Sequence, residues 1–511
     1  MYRRLRYFFA ALTLPLRLAG PARLDKFRYT CLRMGLSFIV LSFLSCNTLL
    51  AQDLKTDQPQ LAPTTVVVGA DNPLVDVPAV QSAVDLGGTI ILRGTFDFGT
   101  DSGNHIIVPG RPYPDQDKKG TSTVFIYRND VTIVGETGSQ GELLTVVKNG
   151  MPAFWIGWDG EVSRAQPPGT PGVDFGTETF PVDAEGRVNY RDTGPEPGYA
   201  GPQTRYARAY QNVSATVKTI YFDSPKHYGV KTTAGRDVFV IGNVFKNVQF
   251  GGLVHANNFF AATHIAVAAG SIGFLFAPFV LPAITGSFVA ERNVIDDVGT
   301  EQINTHSGEC FGHLAILTSG TVRFERNEIR NVGRKADSTG PFLAAAAGLL
   351  VSDNYSTTPI IAHNSVHNSA GYGVWDLCAG APSPGATIEH NTVVDCVIGI
   401  VSYSFVGPRT GGLIHQNSIS QDGLMGSGQS CILANQVSAA TMRANTFKGD
   451  YTGPLVLLLS STSCTLLENR DLRSIPGAPT YFLDALSSDN LIRAASGTAV
   501  DNGTNNRIFL P

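Results

Sequence analysis

The stretch Ile388-Glu-His-Asn391-Thr-Val393 recurs, in altered form, along the second half of this 511-residue chain. Ile414-His-Gln-Asn417-Ser-Ile419 is the next copy. Each copy has an apolar residue, two mostly polar residues, an asparagine, a variable residue and a second apolar residue. The last copy is degraded, because Asp471 stands where the second apolar residue should be. The asparagines of the eight copies are Asn243, Asn293, Asn327, Asn364, Asn391, Asn417, Asn445 and Asn469.

The spacings between successive asparagines indicate a repeat. They are 50, 34, 37, 27, 26, 28 and 24 residues, and the four shortest lie near 26. A repeat of this length is typical of a solenoid. We interpret the spacing of 50 as two repeats with one unrecognisable copy. The spacings of 34 and 37 are interpreted as one repeat plus a lengthened loop.

The residues around each asparagine predict its role. Apolar residues on both sides belong to two short strands whose side chains point alternately in and out. The bend between them must tolerate a left-handed or bridge conformation, which asparagine adopts more readily than most residues. Coils stacked about 4.8 Å apart would let each amide hydrogen-bond the next. We therefore expect an asparagine ladder inside the turn, satisfying polar groups that would otherwise be buried without partners.

A third short strand is predicted eight or nine residues after several asparagines, at Gly252-Leu-Val, Gly373-Val-Trp and Gly399-Ile-Val. Three short strands per coil is the arrangement of the pectate-lyase-like β-helices, which the chain resembles from about residue 80 to its end. The resemblance implies an all-β fold, a single-stranded right-handed parallel β-helix of about 10–12 coils. It implies no particular activity, because that superfamily covers many.

The flanks of the repeat predict the domain organisation. Residues 76–86 have a cap, an early proline and helical spacing of apolar residues, so we expect an N-terminal capping helix that covers the open first coil. Residues 87–96 are predicted as the first strand. The expected divisions are a targeting segment (1–51), a linker (52–75), the cap and first coils (76–150), an inserted Pro/Gly/aromatic-rich loop region (151–211) and the main β-helix (212–511).

The first fifty residues differ in composition from the rest. Eight basic residues oppose only Asp25, the apolar run 35–45 follows, and a small residue, Ala51, comes near its end. This order predicts a bacterial-type signal peptide and export to the periplasm, cell surface or medium. The alternatives are a retained membrane anchor and a lipoprotein cysteine at Cys46. Beyond this segment no apolar run has the length and purity of a membrane span.

Charge and cysteine content exclude several classes. Residues 52–511 hold 30 basic and 41 acidic residues, a net charge of −11, which argues against a nucleic-acid partner. An anionic polysaccharide is not favoured either, unless a basic strip or bound calcium overrides the mean, so calcium stays open as a cofactor. Five cysteines follow the leader without a CxxC pair, so buried unpaired thiols are expected for most of them. The oligomeric state is not indicated.

The first candidate site lies on two lengthened loops of successive coils. Stacking would bring their charged side chains together and supply a base, an acid and a group that neutralises a uronate carboxylate. The alternative is two solvated loops with ordinary charges. The residues are Glu301, His306 and Glu309 on one loop and Arg334, Lys335 and Asp337 on the next.

Further candidates lie elsewhere on the coils. Lys226 and His227 stand where the repeat resumes after the inserted region, with a surface turn as the alternative. Asp376 lies twelve residues after Asn364, as His255 and Tyr403 do after their asparagines. An inward carboxylate without partners is costly, which favours an outward Asp376, although a structural role is an equal alternative.

Three histidines near the repeat asparagines invite a metal-binding interpretation. His363 and His390 directly precede Asn364 and Asn391, and His415 lies two residues before its own asparagine. Arg and Ala occupy the neighbouring copies, so ordinary turn residues are the favoured reading over a metal ladder.

Two functional hypotheses remain. The first is an exported protein that binds or processes polysaccharide along one face of the helix, as a lyase or glycoside hydrolase if it is an enzyme. The second is a non-catalytic surface or periplasmic adhesin, scaffold or assembly factor. The catalytic motifs of pectate lyases, mannuronan epimerases and polygalacturonases are not recognisable, which lowers the case for an enzyme without removing it.

Overall fold

The structure is a computed structural model, and its described residues form long parallel sheets. The described ranges are 63–100, 122–150, 152–163, 187–192, 205–210, 213–225, 228–233, 236–248, 251–256, 286–299, 310–316, 320–333, 346–352, 357–378, 383–405, 407–421, 429–449, 451, 453–473 and 478–511.

Fourteen parallel strands stack into what we name the first sheet. Each coil contributes one of them, so the described part of this sheet exceeds the 10–12 coils expected. The strands are Thr64–Val68, Thr89–Arg93, Val131–Gly135, Ser214–Lys218, Asp237–Ile241, Ser287–Glu291, Thr321–Glu325, Ile360–Ala362, Thr387–Glu389, Leu413–His415, Thr441–Arg443, Thr465–Leu467, Leu491–Arg493 and Arg507–Phe509.

The second and third sheets are joined, because two long strands, Ser365–Cys378 and Thr392–Ser404, run through both. Besides the first halves of these two, the second sheet contains Thr95–Asp97, Val146–Lys148, Tyr221–Asp223, Val244–Val248, Val294–Val298, Glu328–Val332, Ser418–Gln421, Thr446–Gly449 and Arg470–Asp471. Besides the second halves, the third contains Val124–Ile126, Phe154–Ile156, Tyr228–Thr233, Gly251–Ala256, Cys310–Ile316, Ala346–Ser352, Ser430–Asn435, Val456–Leu459, Tyr481–Leu483 and Ala499–Asp501.

The chain visits the three sheets in turn and then starts the next coil, which makes the molecule a parallel β-helix, as predicted. Register is set by inward-pointing apolar residues, since a slip by one residue would turn them outward. In the first sheet Ile361, Ile388, Ile414 and Met442 are stacked in register, and all belong to the continuous buried core.

The repeat asparagines lie at the turn between the first and second sheets, and each is hydrogen-bonded to the next. The Asn391 side-chain Nδ2 donates to Asn417 Oδ1 at 3.0 Å and to the Ile361 carbonyl at 2.9 Å, and the Asn391 backbone N–H donates to the same Asn417 oxygen. In the same pattern, the backbone N–H and the side-chain Nδ2 of Asn364 both donate to Asn391 Oδ1. Each carboxamide from Asn243 to Asn445 therefore bridges three coils, and all eight asparagines are at least 98 % buried.

The residue in the left-handed conformation differs from the one expected. It is the residue before each asparagine, with φ between 53° and 63°, whereas none of the eight asparagines has a positive φ. The asparagine is needed for the hydrogen bonds of its side chain, and the backbone bend falls on a neighbour whose side chain points to solvent. The left-handed residues are Gly242, Arg292, Arg326, His363, His390, Gln416, Ala444 and Glu468.

The interpretation of the 50-residue spacing as two repeats is wrong. Asp237–Ile241 pairs directly with Ser287–Glu291, and Asn243 Nδ2 donates to Asn293 Oδ1 at 3.2 Å. The two asparagines thus lie on adjacent coils. A loop between strands can lengthen without changing the stacking of the coils, so the number of residues between two asparagines does not count coils.

The capping helix, α1 (Pro73–Leu86), begins earlier than predicted. Its N-cap is Asn72, not Asp76, and Asn72 Oδ1 accepts from the Leu74 N–H. Asp76 is buried and accepts from the Asp97 N–H at 2.8 Å, and Gln81 bonds both the N–H and the carbonyl of Phe125. These side chains satisfy the open edges of the second and third sheets, which would otherwise invite edge pairing.

Two boundaries also differ from the sequence-based expectation. Thr64–Val68 lies ahead of α1 and pairs with Thr89–Arg93, so the strand predicted at 87–96 is the second of its sheet. Phe154–Ile156 pairs with Tyr228–Thr233, so the range 151–211 begins inside the β-helix. The rest of that range includes an antiparallel three-stranded sheet of Trp158–Ser163, Arg187–Asp192 and Arg205–Tyr210. Two short strands, Arg409–Thr410 and Val437–Ser438, pair separately.

Several of the described cysteines are buried in the β-helix. Cys396, Cys431 and Cys464 are buried free thiols, and burial raises the pKa of Cys396 to about 12. Within the described ranges, no helix is both long and apolar enough to cross a membrane.

Candidate functional site on the outer face of the third sheet

Most of the predicted site residues lie outside the described residues. The exception is Asp376, which belongs to the third sheet. The others are Lys226, His227, Glu301, His306, Glu309, Arg334, Lys335 and Asp337. His255 lies in the described strand Gly251–Ala256, although its side chain does not belong to the described part.

The preference for an outward Asp376 is wrong. Asp376 is in register with Val351, a residue of the apolar core, and is 1 % exposed. Its Oδ1 lies 2.6 Å from Nη2 of the buried Arg409, and its Oδ2 accepts from the Ala386 N–H at 3.0 Å. A buried carboxylate is tolerated when a charge partner and a hydrogen-bond donor reach it. Asp376 is therefore part of the scaffold.

Tyr403 does not share the register position of Asp376, as the equal spacing from the asparagines suggested. Asp376 pairs with Ser402, because the register shifts between Ser369 and Tyr372. Tyr403 pairs instead with Leu377. A shift of one position reverses the side of the sheet to which a side chain points, so Tyr403 lies on the outer face.

The outer face of the third sheet carries a cluster of aromatic rings on two adjacent coils. Alternation from inward Val374 and Asp376 places Trp375 outside. Tyr372 is also outside, because the intervening Gly373 faces the core: a Cβ there would lie 2.3 Å from Val393. The Tyr372 and Trp375 ring centroids are 4.7 Å apart.

The second coil of the cluster supplies Tyr403 and Phe405, whose ring centroids are 4.5 Å apart. Phe405 is 48 % exposed, Tyr403 and Tyr372 are half-buried, and Trp375 is buried. Burial, with Tyr403 nearby, raises the pKa of Tyr372, so its ring stays uncharged at physiological pH. Solvent therefore meets the rings of Phe405, Tyr403 and Tyr372, whereas Trp375 is buried beside Tyr372.

Apolar residues continue this cluster along the helix axis. Trp375 is in register with Val401, then Leu433, Leu457 and Phe482 on successive coils, and the last three are half-buried. At about 4.8 Å per coil the row from Trp375 to Phe482 is roughly 19 Å long. We call these residues, with Tyr372, Tyr403 and Phe405, the aromatic strip.

The other two sheets each have an outward row that is charged. In the first sheet the outward row at the strand ends includes Glu389, His415 and Arg443. In the second sheet Lys246, Asp296 and Arg330 occupy successive positions of one row. Both rows carry solvated charges, whereas the outer row of the third sheet from Leu314 to Phe482 is apolar.

Lys231 lies on the same outer row as Trp375, four coils toward the N-terminus. It is fully buried, and its Nζ lies 4.2 Å from the Trp155 ring centroid with no hydrogen-bond partner among the described residues. Desolvation lowers its pKa to about 7, because burial disfavours the ammonium form. Near neutral pH both the neutral amine and the ammonium form are therefore populated, although the buried side chain does not reach the surface.

Sequence reasoning missed Lys231 and, although it noted Tyr403, did not recognise the aromatic strip. The strip had a signal, since Tyr372, Trp375, Tyr403 and Phe405 crowd into two consecutive repeats. Their common side could not be assigned, because alternation is interrupted at the bend occupied by Gly373. Lys231 had no signal, since a surface lysine and a buried one look alike in sequence.

Fold and site together define the class of protein: a parallel β-helix with an apolar, aromatic outer face on its third sheet. No protein-family profile matches the chain, and no curated protein matches it. Solved structures resemble it at low identity. A surface adhesin of Streptococcus pneumoniae, PfbA, has a TM-score of 0.38 at 10% identity and covers 84% of this chain and 93% of its own.

Two further structures show similar coverage of this chain. The GH136 lacto-N-biosidase from Eubacterium ramulus has a TM-score of 0.32 at 11% identity and covers 91% of this chain and 70% of its own. Tailspike protein 3 of bacteriophage CBA120 has a TM-score of 0.29 at 8% identity, with 86% and 57% covered. At these TM-scores the likenesses carry no argument about activity.

Proposed function

We propose that this protein is an exported parallel β-helix of the pectate-lyase-like type that binds polysaccharide along the aromatic strip. The observation that supports the proposal is the aromatic cluster of Tyr372, Trp375, Tyr403 and Phe405 on two stacked coils. Sugar rings have apolar C–H faces that pack against aromatic side chains, and a rigid row of such side chains needs little ordering on binding. The strip is long enough to contact several consecutive sugars.

A neutral or weakly charged glycan fits the strip better than a strongly anionic one. The strip carries no formal charge among its described residues, and the chain without its leader has a net charge of −11. Electrostatic attraction therefore does not supply the affinity, and ring stacking has to do so.

Catalysis is the finer hypothesis, and two observations bear on it in opposite directions. Lys231 has the proton affinity of a base for neutral pH and lies on the same outer row as Trp375. Asp376, in contrast, is held by Arg409 inside the scaffold. The second observation favours a non-catalytic adhesin or scaffold that binds glycans. Analysis of reaction products distinguishes this hypothesis from an enzyme.

Binding is tested by affinity electrophoresis of the full chain against neutral and uronate-containing glycans, with and without calcium. Tyr403→Ala is expected to weaken retention on the best glycan about tenfold or more, as loss of a central aromatic contact does at interfaces. Tyr403→Phe keeps the ring and is expected to retain most affinity. Phe509→Ala is the matched control, because Phe509 is 59% exposed and lies on the first sheet.

If Tyr403→Ala is retained by each glycan as strongly as the wild type is, the proposed position of the site is wrong. If no glycan retains the wild type, the proposed function is wrong. New reducing ends or unsaturated products in the same incubations would establish processing, and binding without products would support the adhesin or scaffold.

A further inference from the structure

On the outer wall of the first sheet, Glu389, His390 and His415 bring a carboxylate and two imidazoles together. Glu389 and His415 are in register on adjacent coils, and both face outward because their neighbours Ile388 and Ile414 are in the core. Their Oε2 and Nε2 atoms are 2.5 Å apart. His390 follows Glu389 in the turn and is exposed.

The left-handed turn directs the His390 side chain toward this pair. With φ of 55°, His390 has its ring centroid 5.5 Å from that of His415 and stacked 4.9 Å from that of His363 on the preceding coil. One donor atom from each of Glu389, His390 and His415 lies within 4.8 Å of the others. The three donors come from two stacked coils whose backbones are fixed by the sheet.

We propose that Glu389, His390 and His415 form a binding site for a borderline divalent metal ion, of which Zn²⁺ is the best fit. Two imidazole nitrogens and one carboxylate oxygen are the donor set of open tetrahedral zinc sites. Metal–ligand bonds of about 2.0–2.1 Å bring tetrahedral donor atoms closer together than they lie now. Rotation of the exposed His390 side chain and of the half-buried Glu389 and His415 side chains supplies this change. The fourth position is left for water or for His363.

The residues next to the proposed site place no unpaired positive charge beside the metal ion. Ala362 lies on one side of Glu389 in the register and places no charge there. Arg443, next to His415, is paired with Glu468 at 3.5 Å on the far side. Calcium is disfavoured at this position, because it prefers six to eight oxygen ligands and the site offers two nitrogens.

The site lies on a different sheet from the aromatic strip, so it does not depend on the proposed glycan binding. A metal here would clamp two adjacent coils together from outside. It would also account for His390 and His415, which the ladder of asparagines does not require.

The test is calorimetric titration of the metal-stripped full chain with zinc chloride. One ion per chain is expected, with affinity weakened about 100-fold or more in His415→Ala, since ligand loss costs at least as much as loss of a supporting group. His390→Asn is the second variant, because asparagine keeps the left-handed backbone while removing the imidazole. His367→Ala is the matched control, since His367 lies on the second sheet and bonds Ser365.

Visible absorption of bound Co²⁺ gives an independent readout of tetrahedral coordination, and circular dichroism verifies that each variant folds. In titrations with calcium chloride, the wild type and the two variants are expected to give the same heat, because calcium does not bind at this site. The proposal is overturned if the wild type takes up no zinc, or if His415→Ala and His390→Asn bind it as tightly as the wild type and the His367→Ala control.

Discussion

The guanidinium of Arg409 lies 2.6 Å from the carboxylate of Asp376, and only 1% and 2% of the two side chains are exposed. Arg409 also donates to the carbonyls of Ser383 and Pro384, at 3.3 and 2.6 Å. The pair thereby ties the strand Ser365–Cys378 to the turn that follows it. A buried charge in an apolar solenoid has a low energetic cost only while its oppositely charged partner is present.

Removing one partner is therefore expected to be costly. Asp376→Ala should lower the free energy of unfolding by about 3–5 kcal/mol, because Arg409 would remain buried and charged. Urea unfolding followed by circular dichroism measures this. Arg443→Ala breaks the exposed pair with Glu468 and should cost no more than about 1 kcal/mol. Equal costs for the two variants would contradict the role given to Asp376.

The asparagine ladder predicts a similar sensitivity. Asn391→Ala would leave the Asn364 N–H and the Ile361 carbonyl without their side-chain partners. Each unsatisfied buried group costs about 1–3 kcal/mol, so a loss of several kcal/mol is expected. Hydrogen exchange of the Asn364 amide should speed up along with the drop in stability. Protection at wild-type level would show that water or a rearranged turn replaces the carboxamide.

The residue before each asparagine is expected to behave in the opposite way. Ala444 has φ of 53°, where a Cβ is crowded, and its side chain makes no contact that a ladder needs. Ala444→Gly should raise the stability by roughly 0.5–1 kcal/mol, the part of the left-handed strain that exceeds the entropy cost of glycine. Thermal unfolding compares it with Asn445→Gly, which should destabilise. If both substitutions destabilise the protein, the left-handed strain is not located at Ala444 as proposed.

Lys231 makes stability depend on pH. Its pKa is about 7 in the folded chain against an ordinary 10.5, so between these values the unfolded chain binds more protons and stability rises with pH. Below about pH 7 both states are protonated, and the contribution of Lys231 is at its least favourable and constant. Lys231→Met should therefore stabilise the protein most at pH 7 and below, with a smaller gain toward pH 10.5.

Urea unfolding of wild type and Lys231→Met across this pH range measures the difference directly, so titration of other groups cancels. Lys148→Met is the control, because Lys148 is an exposed partner of Asp71 and its loss should change stability little and without this pH dependence. A constant difference between wild type and Lys231→Met at all pH values would contradict the lowered pKa.

Features that repeat in every coil could be predicted from the sequence, and features that occur once could not. Apolar residues beside each asparagine identified the coil, because the same pattern recurs wherever a strand must bury one face. The number of coils between Asn243 and Asn293 was not recoverable, since a loop can lengthen without altering the stack. Asp376 was placed on the wrong side because its buried partner Arg409, on a later turn of the chain, could not be identified from the repeat.

The sequence by itself determined the parallel β-helix and the three strands of each coil, because stacked coils repeat the same local requirements for burial and for a paired amide. Only the tertiary structure decided which side chains meet. The pairing of Asp376 with Arg409, the burial of Lys231 against Trp155 and the approach of His390 to His415 each join residues on different turns or coils. Such contacts depend on register and side-chain direction, which a repeat length does not specify.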